Sequence, residues 1–228
     1  MHRQIDAGLS QLNRKLLTMA GHVERAIETA TQAWRQRSQL KIKEVYAIEG
    51  IVNQAHIDVD ASCVKLLALQ QPLAADLRFI VAIIKINSDL ERMVDLAVNI
   101  ANNTEYYMKQ PSSYPLDDLN FMADEVRVMV REVLDAFVRL DEKLARNVLR
   151  RDDAVDAKKR KIFTETQERM KTEPDTIPQG LNLILMAKNI ERIGDHATNI
   201  AEDVIYMACG EDVRHHGSTV QPGLHGGT

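Results

Sequence analysis

The chain has 228 residues, of which 45% are hydrophobic and 4% aromatic, and 29 Lys and Arg against 33 Asp and Glu give a net charge of -4. A slightly negative chain is not expected to present the basic stripe with which proteins bind nucleic acids. No apolar run is long enough to insert into a membrane. The amino-terminal residues carry no signal-peptide pattern, so we expect a cytoplasmic protein. Helix-forming residues dominate and only 10 glycines occur, which predicts an all-α fold.

Apolar residues recur at helical spacing along almost the whole chain and predict six long helices. Val45, Ile48 and Val52 indicate the second helix, and Leu90, Met93 and Ala97 indicate the third. Pro and Gly interrupt helices, and Ser or Asp can cap them. The predicted breaks lie near Ser38, at Gln71-Pro72, across 110–115, near Asp141 and across 173–180. Residues 211–228 have no periodicity and are predicted to form a flexible tail.

The sequence contains an internal repeat. ERMVDLAVNIA at 91–101 returns as ERIGDHATNIA at 191–201, with seven of eleven positions identical. Upstream the offset is 103, so that Trp34 aligns with Phe137, and we expect both to be core anchors. Each half contains three helices, which is enough to bury one apolar stripe per helix. The repeat therefore predicts two tandem three-helix bundles, at residues 1–110 and 115–210.

Acidic residues spaced four apart recur in three places. The pairs are Glu91 with Asp95, Glu191 with Asp195, and Asp152 with Asp156. Residues four apart share one helix face, and each pair lies at the edge of an apolar stripe, where two helices meet. If the second and third helices of a half are antiparallel, two pairs face each other. Repulsion of about 4 kcal/mol for each unit-charge contact near 4 Å then calls for a cation.

A metal ion would neutralise these carboxylates better than the adjacent arginines. Arg92 and Arg192 follow Glu91 and Glu191 directly, and neighbouring residues on a helix do not face each other. All-oxygen ligation favours magnesium, manganese, calcium or ferric iron, whereas His196 could admit zinc or ferrous iron. On spacing alone, a solvated charged helix face remains an equal alternative.

Three segments together resemble one known family. The recurring ERxxDxAxNIA block resembles the E/D-x-x-x-D metal motif of the PhoU family. LQQPLAADLR at 69–78 resembles the turn before the third helix in that family, and YMACGEDVRH at 206–215 resembles its end. The resemblance extends over nearly the whole chain and implies two tandem three-helix bundles with multinuclear metal sites on their surfaces. Iron, zinc, manganese and magnesium all suit such sites, and ligand type does not decide between them.

The resemblance also implies the metal ligands. In the second half they are Asp152, Asp156, Glu191 and Asp195, with His196 and Asn199 as further candidates. In the first half they are Glu49, Asn53, Glu91 and Asp95, with Asn99 and His56 as further candidates. Asn53 stands where a second acid belongs, and Leu96 stands opposite His196. Because Asn supplies only a neutral oxygen, we expect the first site to bind metal more weakly or to hold fewer ions.

The function that the resemblance implies is negative regulation of phosphate uptake and of the phosphate-starvation response. The protein would be an adaptor between the ATPase subunit of a phosphate ABC transporter and a sensor histidine kinase, and would form a homodimer. We expect that the protein is not an enzyme, because the sequence has no Gly-rich phosphate loop, no serine elbow and no Cys-His arrangement of the usual catalytic kinds. Two alternatives stay open: a bundle hydrolase or oxidase with clustered metals, and a metal-free structural adaptor. The lack of any Glu-x-x-His disfavours the oxidase.

Overall fold

In the computed structural model the described residues are 4–70, 72, 74–110 and 114–209, and they form six long helices and no strand. The helices are α1 (Gln4–Arg35), α2 (Gln39–Gln70), α3 (Ala74–Met108), α4 (Asp117–Arg139), α5 (Glu142–Thr172) and α6 (Ile177–Cys209). A single 3-10 turn at Pro174–Thr176 precedes α6. The all-α prediction is confirmed. No helix of the described ranges combines the length and the apolar character needed to cross a membrane.

The six helices form two three-helix bundles, as the repeat predicts. α1, α2 and α3 pack together, α4, α5 and α6 pack together, and α3 lies lengthwise against α6. Lys85 of α3 contacts Asp203 of α6, and Thr104 contacts Met186, so the two helices are antiparallel. Residues 111–113, within the predicted bundle boundary, and the predicted tail at 211–228 lie outside the described residues.

The turns within the two bundles end their helices in the same way. Arg37 and Leu140, which are repeat counterparts, have φ angles of 48° and 50°, in the left-handed region. The following amide N–H then reaches back to close the helix: Asp141 N donates to Ala136 O at 2.9 Å. The Asp141 carboxylate also accepts from Leu144 N at 3.1 Å and caps α5. The breaks predicted near Ser38 and Asp141 are confirmed.

The break predicted across 173–180 is wrong in its second half. α5 ends at Thr172, but α6 already begins at Ile177 and includes Pro178 and Gly180. Proline is tolerated in a first helical turn, because the N–H groups there have no intrahelical acceptor. Gly180 serves close packing, since a Cβ at this position would lie 2.7 Å from the Tyr114 hydroxyl.

Trp34 and Phe137 are both buried, which confirms them as core anchors. They also join the two bundles. Trp34 Nε1 in α1 donates to Asn120 Oδ1 in α4 at 3.0 Å. Phe137 in α4 stacks on Phe79 in α3, with ring centroids 6.2 Å apart. The repeat therefore places an aromatic ring at each of two contacts between the halves.

Candidate metal site between α5 and α6

The four acids predicted to bind metal in the second half lie along one seam. Asp152 and Asp156 come from α5, and Glu191 and Asp195 come from α6. The two helices are antiparallel, with Lys159 opposite Glu191 and Asp152 beside Gly194. Each pair lies at the edge of its apolar stripe, as predicted, because Val155 and Ile190 next to them are buried. These four residues are called the acidic seam below.

Among the acids of the seam, Asp152 is the one whose ionised form is most disfavoured. Its Oδ1 is buried and has no hydrogen-bond partner among the described residues. A Cβ added at Gly194 would lie 3.4 Å from this oxygen, which shows that the carboxylate lies close to the backbone of α6. Burial raises the pKa of Asp152 from 3.8 to about 6, and the charges of Asp195, Asp156 and Glu191 add to the rise. An added cation would relieve both causes.

Lysine already provides one positive charge at the seam. Lys159 Nζ donates a hydrogen bond to Glu191 Oε1 and lies 3.7 Å from Asp156 Oδ1. Arg160 Nη1 lies 3.3 Å from Asp156 Oδ2. Burial opposes the charged form of Lys159, but the hydrogen bond to Glu191 and the surrounding acids outweigh it and raise the pKa of the ammonium.

Lys159 was not among the predicted site residues, although its position in the sequence indicates a place at the seam. Lys159 follows Asp152 by seven residues and Asp156 by three, so it shares their helix face. Lys159 and Arg160 together do not balance four acids. The pKa of Asp195 remains raised, through partial burial and the charge of Glu191, even with the lysine nearby. The seam therefore keeps a surplus of negative charge.

The donors fit a hard cation in chemical type, but their side chains are not arranged around one. Across 4–70, 72, 74–110 and 114–209, no three Asp, Glu, His or Cys side chains are spaced to share a metal ion. Lys159 and Arg160 instead hold Glu191 and Asp156. Metal binding would need Lys159 to leave Glu191 and the carboxylates to rotate inward. The ligand assignment for the acidic seam stays a prediction.

His196 and Asn199, the further candidates in α6, lie at the contact with α3. His196 Nδ1 is 2.8 Å from Asp89 Oδ1, and Asn199 Nδ2 donates to the same oxygen at 3.4 Å. A carboxylate partner on one ring nitrogen is the usual way to orient a metal-binding histidine, which leaves Nε2 for such a role. The structure gives both residues a role in joining the bundles, and their ligand roles stay predictions.

In the first half, the four candidate ligands Glu49, Asn53, Glu91 and Asp95 are all partly buried. Tyr46 and His56, which flank Glu49 and Asn53 on α2, contact Asn102 and Asn87 of α3. Asn53 Nδ2 donates to Glu49 Oε1 at 3.3 Å, and its buried Oδ1 has no partner in the described part of the chain. Against expectation, Arg92 does reach its neighbour: Nε lies 3.7 Å from Glu91 Oε2. The side chain of Arg92 is 66% exposed, so this contact contributes little.

His56, proposed as a substitute for the missing acid, is the repeat counterpart of Lys159. Its Nε2 lies 3.6 Å from Asp60 Oδ2, and its Nδ1 lies 3.4 Å from the Asn87 carbonyl oxygen. The structure thus places His56 on Asp60 and Asn87. Asn99, the other candidate in this half, is exposed. The two seams differ in their ion pairs as well as in acid count.

Comparison with known proteins is consistent with this repeat. A family model described as the PhoU domain matches residues 16–104 and again 119–204. A PhoU homolog of Pseudomonas putida, named a phosphate-specific transport system accessory protein, is 37% identical over 218 residues, which cover 94% of this chain and 84% of that one. The Escherichia coli K12 protein of the same name is 33% identical over 214 residues, covering 94% and 89%.

Solved structures have the same architecture. The crystal structure of PhoU from Pseudomonas aeruginosa matches with a TM-score of 0.89 at 36% identity, over 91% of this chain and all of that one (100%). A Streptococcus pneumoniae protein, described as the phosphate transport system regulatory protein PhoU, matches with a TM-score of 0.84 at 26% identity, over 92% and 99%. Because each PhoU-domain match spans most of one three-helix bundle, and the relatives align over nearly the full length, the chain belongs to the PhoU family.

Proposed function

We propose that this chain is a cytoplasmic negative regulator of phosphate uptake and of the phosphate-starvation response, and that it acts as a metal-binding adaptor without catalysis. The names of the relatives, phosphate-specific transport system accessory proteins, support the phosphate role. One observation carries the metal role. Asp152 has a buried oxygen without a partner and feels the charges of three further acids, in a seam where Lys159 and Arg160 contact only Glu191 and Asp156.

Asp152, Asp156, Glu191 and Asp195 would hold the metal in the second half. Iron, zinc, manganese and magnesium are all compatible with this oxygen-rich set. The ion would supply the charge that lets the four carboxylates stay ionised together, and would thereby link α5 to α6. The first half would bind more weakly, through Glu49, Asn53, Glu91 and Asp95, because it has one acid fewer.

The partners of the adaptor would be the ATPase subunit of a phosphate ABC transporter and a sensor histidine kinase, and the chain would form a homodimer. Long helices with exposed faces suit this role, since a partner helix can pack along them. On this account the chain brings two proteins of one signalling pathway together, and a metal-stabilised seam keeps its second bundle rigid.

Deleting the gene and restoring it in variants tests the proposal. In phosphate-rich medium the deletion should release a phosphate-starvation reporter from repression, and the wild-type gene should restore repression. Asp156→Asn should restore it poorly, because that residue would be a ligand. Asp153→Asn, which changes an exposed acid three residues earlier on α5, is the matched control and should restore it fully.

Two results would contradict the proposal. One is normal phosphate control in the deletion strain. The other is efficient hydrolysis of phosphate esters by the metal-loaded protein, which would favour the hydrolase. Elemental analysis of the purified native protein, together with a pull-down of its cellular partners, gives the metal and the partners directly.

A further inference from the structure

A cleft of about 580 Å³ opens between α5 and α6, next to the acidic seam. Its lining includes the apolar residues Phe163, Ile184 and Ala187, the cations Lys159, Arg160 and Lys188, and one acid, Glu191, which accepts a hydrogen bond from Lys159. A cleft of this size, lined by apolar residues and a few charges, is typical of a binding site. It is called the α5–α6 cleft below.

The apolar surface of the cleft continues along α6. Phe163 is 50% exposed, and Leu181 and Ile177 of α6 are 51% and 39% exposed. Ile177, Leu181 and Ile184 lie three or four residues apart, and they therefore share one side of the helix. The result is a strip of exposed apolar side chains parallel to the helix axes, longer than a compact small molecule would need.

The first bundle has polar side chains in the corresponding place. There Asp60 stands for Phe163, and Asn87 stands for Ala187. Asn87 Nδ2 donates to Asp60 Oδ1 at 2.9 Å and to the His56 carbonyl oxygen at 3.1 Å, so polar contacts bridge α2 and α3. In the second bundle the small Ala187 and the half-exposed Phe163 leave an open, apolar gap between α5 and α6 beside the acidic seam. The cleft is therefore a property of one half and does not follow from the repeat.

The charges of the lining select the kind of partner. The whole chain has a net charge of -4, yet the lining of the cleft carries three cations, Lys159, Arg160 and the exposed Lys188, against the single acid Glu191. An elongated apolar strip between cations matches a helix that has one apolar face flanked by carboxylates.

We propose that the α5–α6 cleft binds an acidic amphipathic helix of a partner protein. The apolar side chains of that helix would pack on Phe163 and Leu181, and its carboxylates would pair with Lys188 and Arg160. The proposal rests on the adaptor function proposed above, and it assigns the surface through which that function would operate.

Two fluorescein-labelled peptides of about 18 residues, or five helical turns, test the proposal. Both have leucines along one face; one has glutamates on the flanks and the other has lysines. Fluorescence anisotropy with the full chain should show saturable binding of the glutamate peptide, at least about tenfold tighter than the lysine peptide. Phe163→Asp, which installs the residue found in the first half, and Lys188→Glu should each weaken binding by about tenfold.

Ser88→Glu is the matched control, because Ser88 is the exposed repeat counterpart of Lys188 in the first bundle, and it should leave binding unchanged. Far-ultraviolet circular dichroism checks that each variant folds. The proposal is overturned if the glutamate peptide does not bind saturably, or if Phe163→Asp and Lys188→Glu leave its affinity unchanged. Binding of the small apolar anion ANS without binding of the peptide would also overturn it, in favour of a small-molecule site.

The peptide assay is run in EDTA and again with Mn²⁺, and it requires neither phosphate nor a cellular partner. If the protein regulates phosphate genes in cells but does not bind the peptide, only the cleft proposal is rejected. A chain that binds the peptide but leaves phosphate control normal when deleted would reject the proposed function and keep the cleft as a helix-binding surface.

Discussion

Replacing Asp152 with Asn should stabilise the metal-free protein at neutral pH, although it removes a predicted metal ligand. Folding raises the pKa of Asp152 from 3.8 to about 6, chiefly by burial and then by Asp195, Asp156 and Glu191. At about 1.4 kcal/mol for each pH unit, the upper limit of the cost of ionising Asp152 in the fold is about 3 kcal/mol. Screening of this half-buried group by solvent reduces the expected gain to about 1–2 kcal/mol.

The pH dependence gives this prediction a definite sign. The folded state of Asp152 holds its proton to a higher pH than the unfolded state, so the folded protein binds more protons between about pH 4 and 6. The contribution of Asp152 to stability is therefore lost as the pH rises through that window. Asparagine does not titrate, and the advantage of Asp152→Asn should grow from near zero at about pH 4 to its full value by about pH 7.

Urea unfolding in EDTA, followed by circular dichroism across this pH range, measures the effect. Asp153→Asn, which changes an exposed neighbour on α5, is the control. Its charge is the last and smallest of those that raise the pKa of Asp152, so it should change the pH dependence only slightly. With Mn²⁺ the order should reverse, because a ligand at a hundred times its Kd stabilises the wild type by about 2.7 kcal/mol, and the variant binds it poorly. A variant no more stable than wild type at neutral pH in EDTA would refute the reasoning.

Three further predictions follow from the repeat and its departures. Lys159→Met should tighten metal binding about tenfold in calorimetry, because the ion no longer competes with a tethered ammonium; unchanged affinity would show that Lys159 is only a surface ion pair. Asn53→Asp should increase the number of ions bound, by elemental analysis, and an unchanged count would contradict the predicted inequality of the sites. Leu140→Gly should raise the free energy of unfolding by about 1 kcal/mol, because its φ is positive, whereas Val138→Gly inside α4 should lower it by a similar amount.

The architecture could be predicted because it depends on periodic features of the sequence. Six helical stripes and one repeat were enough to predict two bundles. The acid pairs of the second half lie at the edges of their stripes, between α5 and α6. The predicted start of α6 was wrong because Pro178 and Gly180 were expected to interrupt the helix. A proline does so only in a helix interior. Their tolerance here depends on a first-turn position and on contact with Tyr114, neither of which the sequence shows.

The parts of the site that could not be predicted depend on which residues face each other across two helices. Lys159 lies on the face of the acid pair, but its hydrogen bond to Glu191 requires the register of α6 against α5. His196 follows Asp195 directly, yet it faces α3 and contacts Asp89. The α5–α6 cleft is open because Ala187 has no polar side chain that could bridge the two helices. Asn87, its counterpart in the first bundle, does bridge α2 and α3.

The central claim is that a metal ion draws together acids from α5 and α6. Diffraction from crystals grown with Mn²⁺, recorded with its anomalous signal, tests this claim most directly. We expect an anomalous peak between the helices, with oxygens of Asp152 and Glu191 at about 2.0–2.6 Å from the ion and Lys159 turned away from Glu191. A seam with no anomalous peak under excess Mn²⁺, and with Lys159 still bonded to Glu191, would contradict it.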